Sequence, residues 1–275
     1  MPISGCLRFS FLFAFLAVLV GLAPSHPIYA QGSEQVQVSP PLLHRAEPPS
    51  ASASTSDLEA RGDQLRSAKN YLDAIDYYQA ALKKGPVTSP LLNKIGICQL
   101  MLQRYNEARK SLERAVKNDR TYADAYNNLG VVYYQGRSFG KAIHQYEKAI
   151  AANPNAASYY SNLGAAYFAK KDIEKAAAHY AKALDLDPDI FERTSHAGVQ
   201  AQLPSPEDRA HYDYVLAKIY AKQGVPDRSL HYLRKAMEDG YKHMSDVYKD
   251  EEFAALRKDP RFTELMAAKL TAIPE

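Results

Sequence analysis

Along the middle of the chain, large apolar and small residues return in a fixed phase. Glycines stand at Gly62, Gly96, Gly130 and Gly164, and alanines at Ala74, Ala108, Ala142 and Ala176, every step being 34 residues. A second alanine series, Ala81, Ala115, Ala149 and Ala183, keeps the same step. Between the two alanines of each unit sits Tyr78, Leu112, Tyr146 or Tyr180, and upstream of each glycine Leu58, Leu92, Tyr126 or Tyr160. In the third unit Tyr126, Leu129, Gly130 and Tyr133 fall at i, i+3, i+4 and i+7, which is one face of a helix; Ala142, Tyr146 and Ala149 mark a second. Each unit is therefore predicted to be a helix–turn–helix, with glycine and alanine where the backbones approach and bulky residues filling the space between. Pro86, Pro154 and Pro188 stop the second helix, because proline lacks an N–H and clashes with the preceding turn. One pair cannot bury its own apolar face, so stacking must supply the core.

These residues resemble four tandem tetratricopeptide repeats covering residues 55–190, in units 55–88, 89–122, 123–156 and 157–190. The resemblance implies an all-α fold, a right-handed α-solenoid of tandem helix–turn–helix repeats with a helical C-terminal cap. Two positions depart from the pattern: Arg61 stands where Leu129 and Leu163 stand later, and Arg120 replaces the closing proline. A fifth, degenerate unit fits residues 210–243, with Leu216, Ala217, Tyr220, Ser229, Leu233 and Ala236 in place. Ser229 follows Ala176 by 53 residues, 19 more than the period, so an insert occupies residues 191–209. Within it Ser205, Pro206 and Asp208 form a helix-start signal, so the fifth pair should begin early and run long. In the cap, residues 244–275, Phe253, Leu256, Phe262, Leu265 and Met266 are interrupted by Asp259-Pro260, which predicts two short helices over the last open face. This closing segment is similar to that of many bacterial repeat proteins and implies a bacterial source.

The N-terminus reads differently. Arg8, the apolar run Phe11 to Ala23, the break at Pro24 and Ile28-Tyr29-Ala30 predict a secretory signal over residues 1–30, cleaved after Ala30. That run is shorter than the roughly 20 residues a bilayer-spanning helix needs, so no stable membrane insertion is expected after cleavage. The mature protein is then periplasmic or secreted. Residues 31–54 are rich in Pro, Ser and Ala and predict a disordered tether. Of the two cysteines, Cys6 leaves with the signal, and Cys98 remains as a small buried helix residue with no disulfide partner.

Composition narrows the function further. The 275 residues are 46% hydrophobic, enough for a folded core, and 34 Lys and Arg against 31 Asp and Glu leave a net charge of +3. No nucleic-acid partner is expected from so near a balance. No strand pattern, phosphate loop, HExxH or GxSxG string occurs, and the eight histidines form no ligand spacing, so no catalytic residue, metal or cofactor is expected. Asp250-Glu251-Glu252 reads as a helix-start cluster. The basic pairs Lys83-Lys84, Arg109-Lys110, Lys170-Lys171 and Arg257-Lys258 read as a solvated convex face.

What remains is binding. In a stack of this kind the first helices line the concave surface, so their inward residues are the candidate site. The second unit offers Asn93, Lys94, Ile97 and Met101; the third Asn127, Asn128, Val131 and Tyr134; the fourth Ser161, Asn162, Ala165 and Phe168. This is an amide ladder beside an apolar and aromatic strip, suited to the main chain and side chains of an extended peptide of a partner protein. The family's chaperone-tail clamp is matched only in part: Asn128 and Asn162 are present, but Glu59 and Asp63 stand where the first unit would need Lys and Asn, and Ser158 replaces a cation. Two other readings stay open at this point, a structural protein that self-assembles as a homo-oligomer and a module that binds cell-wall glycan on Tyr134 and Phe168.

Overall fold

The computed structural model describes residues 46–192 and 205–268, all within one compact unit that starts at Leu42; the predicted signal, most of the tether, residues 193–204 and residues 269–275 lie outside them. Among the described residues there are eleven α-helices, three 3₁₀ turns and no strand. Helices α1 (Thr55–Ser67) and α2 (Tyr71–Lys84), α3 (Ser89–Met101) and α4 (Tyr105–Asn118), α5 (Ala123–Gln135) and α6 (Phe139–Ala152), and α7 (Ala157–Ala169) and α8 (Ile173–Leu186) are four hairpins. A fifth follows in α9 (Pro206–Lys222) and α10 (Pro226–Glu238). The fold is a helical-repeat solenoid.

Each hairpin closes on its glycine. A Cβ added at Gly62, Gly96, Gly130 or Gly164 would lie 2.5, 2.6, 2.4 or 2.6 Å from the side chain of Tyr78, Leu112, Tyr146 or Tyr180, so the bulky residue of the second helix lies flat on the backbone of the first. The alanines on either side of it are completely buried.

The turn inside each hairpin is also periodic. Lys69, Gln103, Arg137 and Lys171 all take a left-handed φ, between 54° and 63°, and Gly224 takes 73° in the fifth. The residue after each of them donates its N–H back to a carbonyl five residues earlier, for instance Asn70 to Leu65 at 2.8 Å and Val225 to Tyr220 at 2.9 Å. That bond satisfies an end-of-helix carbonyl that would otherwise be orphaned.

The stop between hairpins does not depend on proline alone. Where Arg120 replaces it, Asp119 Oδ1 accepts from the Thr121 N–H at 2.8 Å and from its hydroxyl at 2.7 Å; Asn153 and Asp187 turn the chain by the same side-chain-to-backbone bond.

In the four regular hairpins the first helices run parallel, each offset from the last by one position. Lys94 reaches Glu59 at 2.8 Å, Asn128 donates to Asn93 at 2.9 Å and Asn162 to Asn127 at 2.9 Å, all across 35 residues.

The fifth hairpin is turned about. Lys171, just ahead of α8, pairs with Asp208 in the first turn of α9, and Asp185 near the end of α8 accepts from Gln223 just past the end of α9 at 3.2 Å. Arg228 at the start of α10 reaches the Pro188 carbonyl and Asp189. Helix α9 thus runs parallel to α8 and antiparallel to α7, whereas each earlier helix reverses the one before it. Link length permits this. The regular links, such as Asn153–Ala156, hold four residues and reach about 13 Å, while residues 187–205 number nineteen and can span the roughly 21 Å length of α8 several times over.

Ser205 caps α9, accepting from the Asp208 N–H at 3.1 Å and donating to its carboxylate at 2.7 Å, and α9 runs to 17 residues against 13 for the other first helices. Phe168, Tyr180, Phe191 and Tyr212 meet edge to face at this junction, with ring centroids 5.3–6.3 Å apart.

Both ends differ from the sequence expectation. Residues 46–54, expected within a disordered tether, lie along α2: the Ala46 N–H donates to Asp73 Oδ1 at 3.2 Å, Tyr77 donates to the Glu47 carbonyl at 3.1 Å, and Lys84 holds the Ala51 carbonyl at 2.6 Å. Lys84, expected as a solvated convex-face cation, is therefore a strap anchor. In the tail, three 3₁₀ turns, Met244–Tyr248, Glu251–Phe253 and Leu256–Lys258, stand in place of the first expected short helix, followed by α11 (Pro260–Ala267), which Asp259 caps. Phe253, Leu256, Phe262 and Leu265 are buried, together with Val247.

Candidate functional site

The inner residues of the first helices divide into two groups. Lys94 and Ile97 are half-buried and Met101 is 44% exposed. The other nine are buried: Asn93, Asn127, Asn128, Val131, Tyr134, Ser161, Asn162, Ala165 and Phe168 each expose 8% or less. The repeat pattern predicts all twelve on a surface open to a ligand, and for these nine the structure corrects that exposure.

The reason is how the helices stack. A one-position offset brings asparagines of successive units face to face, and they bond to one another. Asn162 donates to Asn127, Asn127 to Asn128 at 3.4 Å, and Asn128 to Asn93, so a chain of amides crosses three repeats. An amide carries two donors and two acceptor lone pairs, and bonds made inside the wall are not available to a ligand. Val131, Tyr134 and Ala165 belong to the core shared by the second, third and fourth units, and Phe168 to that of the fourth and fifth. Burial, then the charge of Asp208, pushes the Tyr134 hydroxyl up to about 12, and among the described residues it has no hydrogen-bond partner.

Lys94 is held from two sides, by Glu59 Oε1 at 2.8 Å and Asp63 Oδ2 at 2.7 Å, and lies over the Tyr78 ring at 5.9 Å. Burial works against its charge, but the Asp63 and Glu59 bonds outweigh it and hold the ammonium above the ordinary lysine range. Asp63 also accepts from Tyr78 at 2.8 Å and lies beside Arg66. A cation neutralised in this way offers no net charge to a partner. Beside it on the inner face, Ile97 is half-buried and Met101 is exposed.

Burial pushes the Cys98 thiol up to about 12, which keeps it protonated and unreactive at neutral pH. His179 stacks on Tyr167 at 5.3 Å, while His144 and His231 are exposed. Among the described residues there is no group of three His, Cys, Asp or Glu side chains that could hold a metal ion, and no helix is long and apolar enough to cross a membrane.

Two features escaped the sequence. Asp213 on α9 is buried, and that burial raises its pKa to about 6 even though Lys235 lies 3.4 Å away. Beside α9, an open cleft of about 700 Å³ separates it from α8, with Ile173, Ala177, Ala181, Val215 and Ile219 along its walls. The only signal for the cleft was the length of the insert.

Two family models agree with the repeat pattern. The family model described as Tetratricopeptide repeat matches residues 132–189, and one described as TPR repeat matches residues 101–136. Among solved structures the chain is similar to MamA, with 26% identity over 65% of this chain and 93% of that one and a TM-score of 0.46. It is similar also to TTC0263, a thermophilic TPR protein in Thermus thermophilus, at 23% identity over 74% and 100% of the two chains with a TM-score of 0.48. A third is YrrB, described as a TPR protein with an unusual peptide-binding site, at 18% identity over 70% and 89% with a TM-score of 0.45. No curated protein matches the chain.

Proposed function

Because the chain is built of tetratricopeptide repeats, we propose that it is a non-enzymatic protein-interaction scaffold, exported to the cell envelope, that seats an extended segment of a partner protein at the inner face of its first helices. The observation that carries this reading is the row of parallel first helices, with α3, α5 and α7 joined by the amide chain and Ile97 and Met101 left accessible on α3. The amides hold the wall and the apolar side chains meet the ligand. A half-exposed isoleucine beside an exposed methionine suits an apolar side chain of an extended segment, and methionine adapts to several shapes. Export rests on residues 1–30 of the sequence.

Two measurements test the two halves. Capture from the envelope fraction should return a protein with the chain as bait and lose it with Ile97→Asp/Met101→Asp, whose melting temperature should stay close to the parent's. Undiminished capture would remove the inner face. Mass spectrometry of the protein from intact cells should find it starting at Gln31; a form that keeps Met1 and stays in the cytosolic fraction would remove export.

A further inference from the structure

We propose that the cleft between α8 and α9 is a second docking site, separate from the inner face, which receives an amphipathic helix of a partner protein, apolar on one side and flanked by Lys or Arg. The cleft lies where α9 runs alongside α8 in the same direction. Its walls are apolar: Ile173, Ala177 and Ala181 from α8, and Val215 and Ile219 from α9. On α8 it runs from Ile173 to Asp185, which is about 18 Å or three helical turns, and a groove between two helices accepts a third at 8–10 Å between axes.

Charge selects the occupant. Glu174, Asp185 and Glu252 stand on the rim with Lys218 and Lys222, and Lys218 is already held by Asp250 at 3.0 Å and Glu252 at 3.4 Å. With Lys218 and Glu252 paired to each other, Glu174 and Asp185 outnumber Lys222 around an apolar floor, which is the complement of a helix with an apolar stripe and cationic flanks. Direction follows as well. Helices α8 and α9 both point their negative ends toward Asp185 and Gln223, so the docked helix runs antiparallel to both, its positive N-terminus at that end.

The test is fluorescence anisotropy with a labelled 14-residue helical peptide, Leu and Ala on one face and Lys on both flanks, titrated with the full chain beside a twin carrying Glu flanks. The Lys peptide should bind at least tenfold tighter, and the gap should narrow at high salt. Ala181→Phe, which fills the trough, should weaken binding at least tenfold. Glu174→Lys/Asp185→Lys, at two exposed positions, should reverse the preference between the twins and decides the matter if Ala181→Phe does not fold. Ile97→Asp/Met101→Asp should leave this binding unchanged. Equal binding of the twins, or full binding by a folded Ala181→Phe, overturns the proposal.

Discussion

The four regular hairpins and the fifth are the same object internally and differently placed. Each has a left-handed residue at its inner turn, Lys69, Gln103, Arg137, Lys171 or Gly224, and each buries small residues against a bulky one, such as Ala142 and Tyr146 or Ser229 and Leu233. Yet helices α1–α8 alternate in direction, and α9 repeats the direction of α8. The repeat signature therefore specifies how two helices close on each other. The link between hairpins decides which way the next one faces.

The largest expected effect comes from breaking the junction between the two regions. Tyr180 covers Gly164 within its own hairpin and meets Phe191 and Tyr212 across the junction. Tyr180→Ala should cost about 3–5 kcal/mol and split thermal unfolding into two transitions, one for α1–α8 and one for α9–α11. A single cooperative transition, merely lowered, would mean that the two regions do not melt as separate units.

Asn127 confines the comparison to the regular stack, because it donates to Asn128 and accepts from Asn162. Asn127→Ala removes the donor that Asn128 Oδ1 accepts from and the acceptor that Asn162 donates to, and should cost about 1–3 kcal/mol by urea denaturation. Hydrogen exchange in α9 and α10 should hardly change.

Asp213 confines it to the fifth hairpin and gives it a pH dependence. Its pKa is raised in the fold to about 6, so the folded protein binds the proton more tightly than the unfolded chain. That contribution is complete only below the ordinary aspartate value of 3.8 and is lost as pH rises through about 6. Asp213→Asn should therefore be more stable than the parent at pH 7.5 by about 1–3 kcal/mol, and the difference should shrink as pH falls through 6 and vanish only below 3.8. A constant difference across that range would show that Asp213 does not titrate there.

The smallest effect tests what the two regions share. Arg137→Gly relieves a left-handed residue and should stabilise by about 0.5–1 kcal/mol, whereas Gly224→Ala imposes the same strain and should destabilise by a similar amount. Opposite signs from paired melting curves would establish one turn geometry in both regions.

The periodic glycines and alanines reported contacts made within a hairpin, and for that reason they made the hairpins legible. The start of α9 was legible because Ser205, Pro206 and Asp208 act within one turn. Lys69 and Arg137 gave no sign of a left-handed backbone, since that conformation is imposed by the bond closing the helix end and not by the side chain. The asparagines were found but misread: two amides at one repeat position look alike in sequence whether they face a ligand or each other, and the offset between first helices decides which. The direction of α9 depends on the reach of a link, and no residue type encodes it.

The reversed fifth hairpin also bears on how such a chain can change size. Repeat arrays lengthen by duplicating a unit that can sit on a copy of itself. Hairpins one to four each present to the next the surface on which they themselves rest, so a unit gained among them continues the stack. The fifth presents a different surface from the one that received it, and a copy added after it would find no matching seat. The stack upstream of Pro188 can therefore lengthen by copying its own unit, whereas a unit placed after the inverted pair would need a different seat.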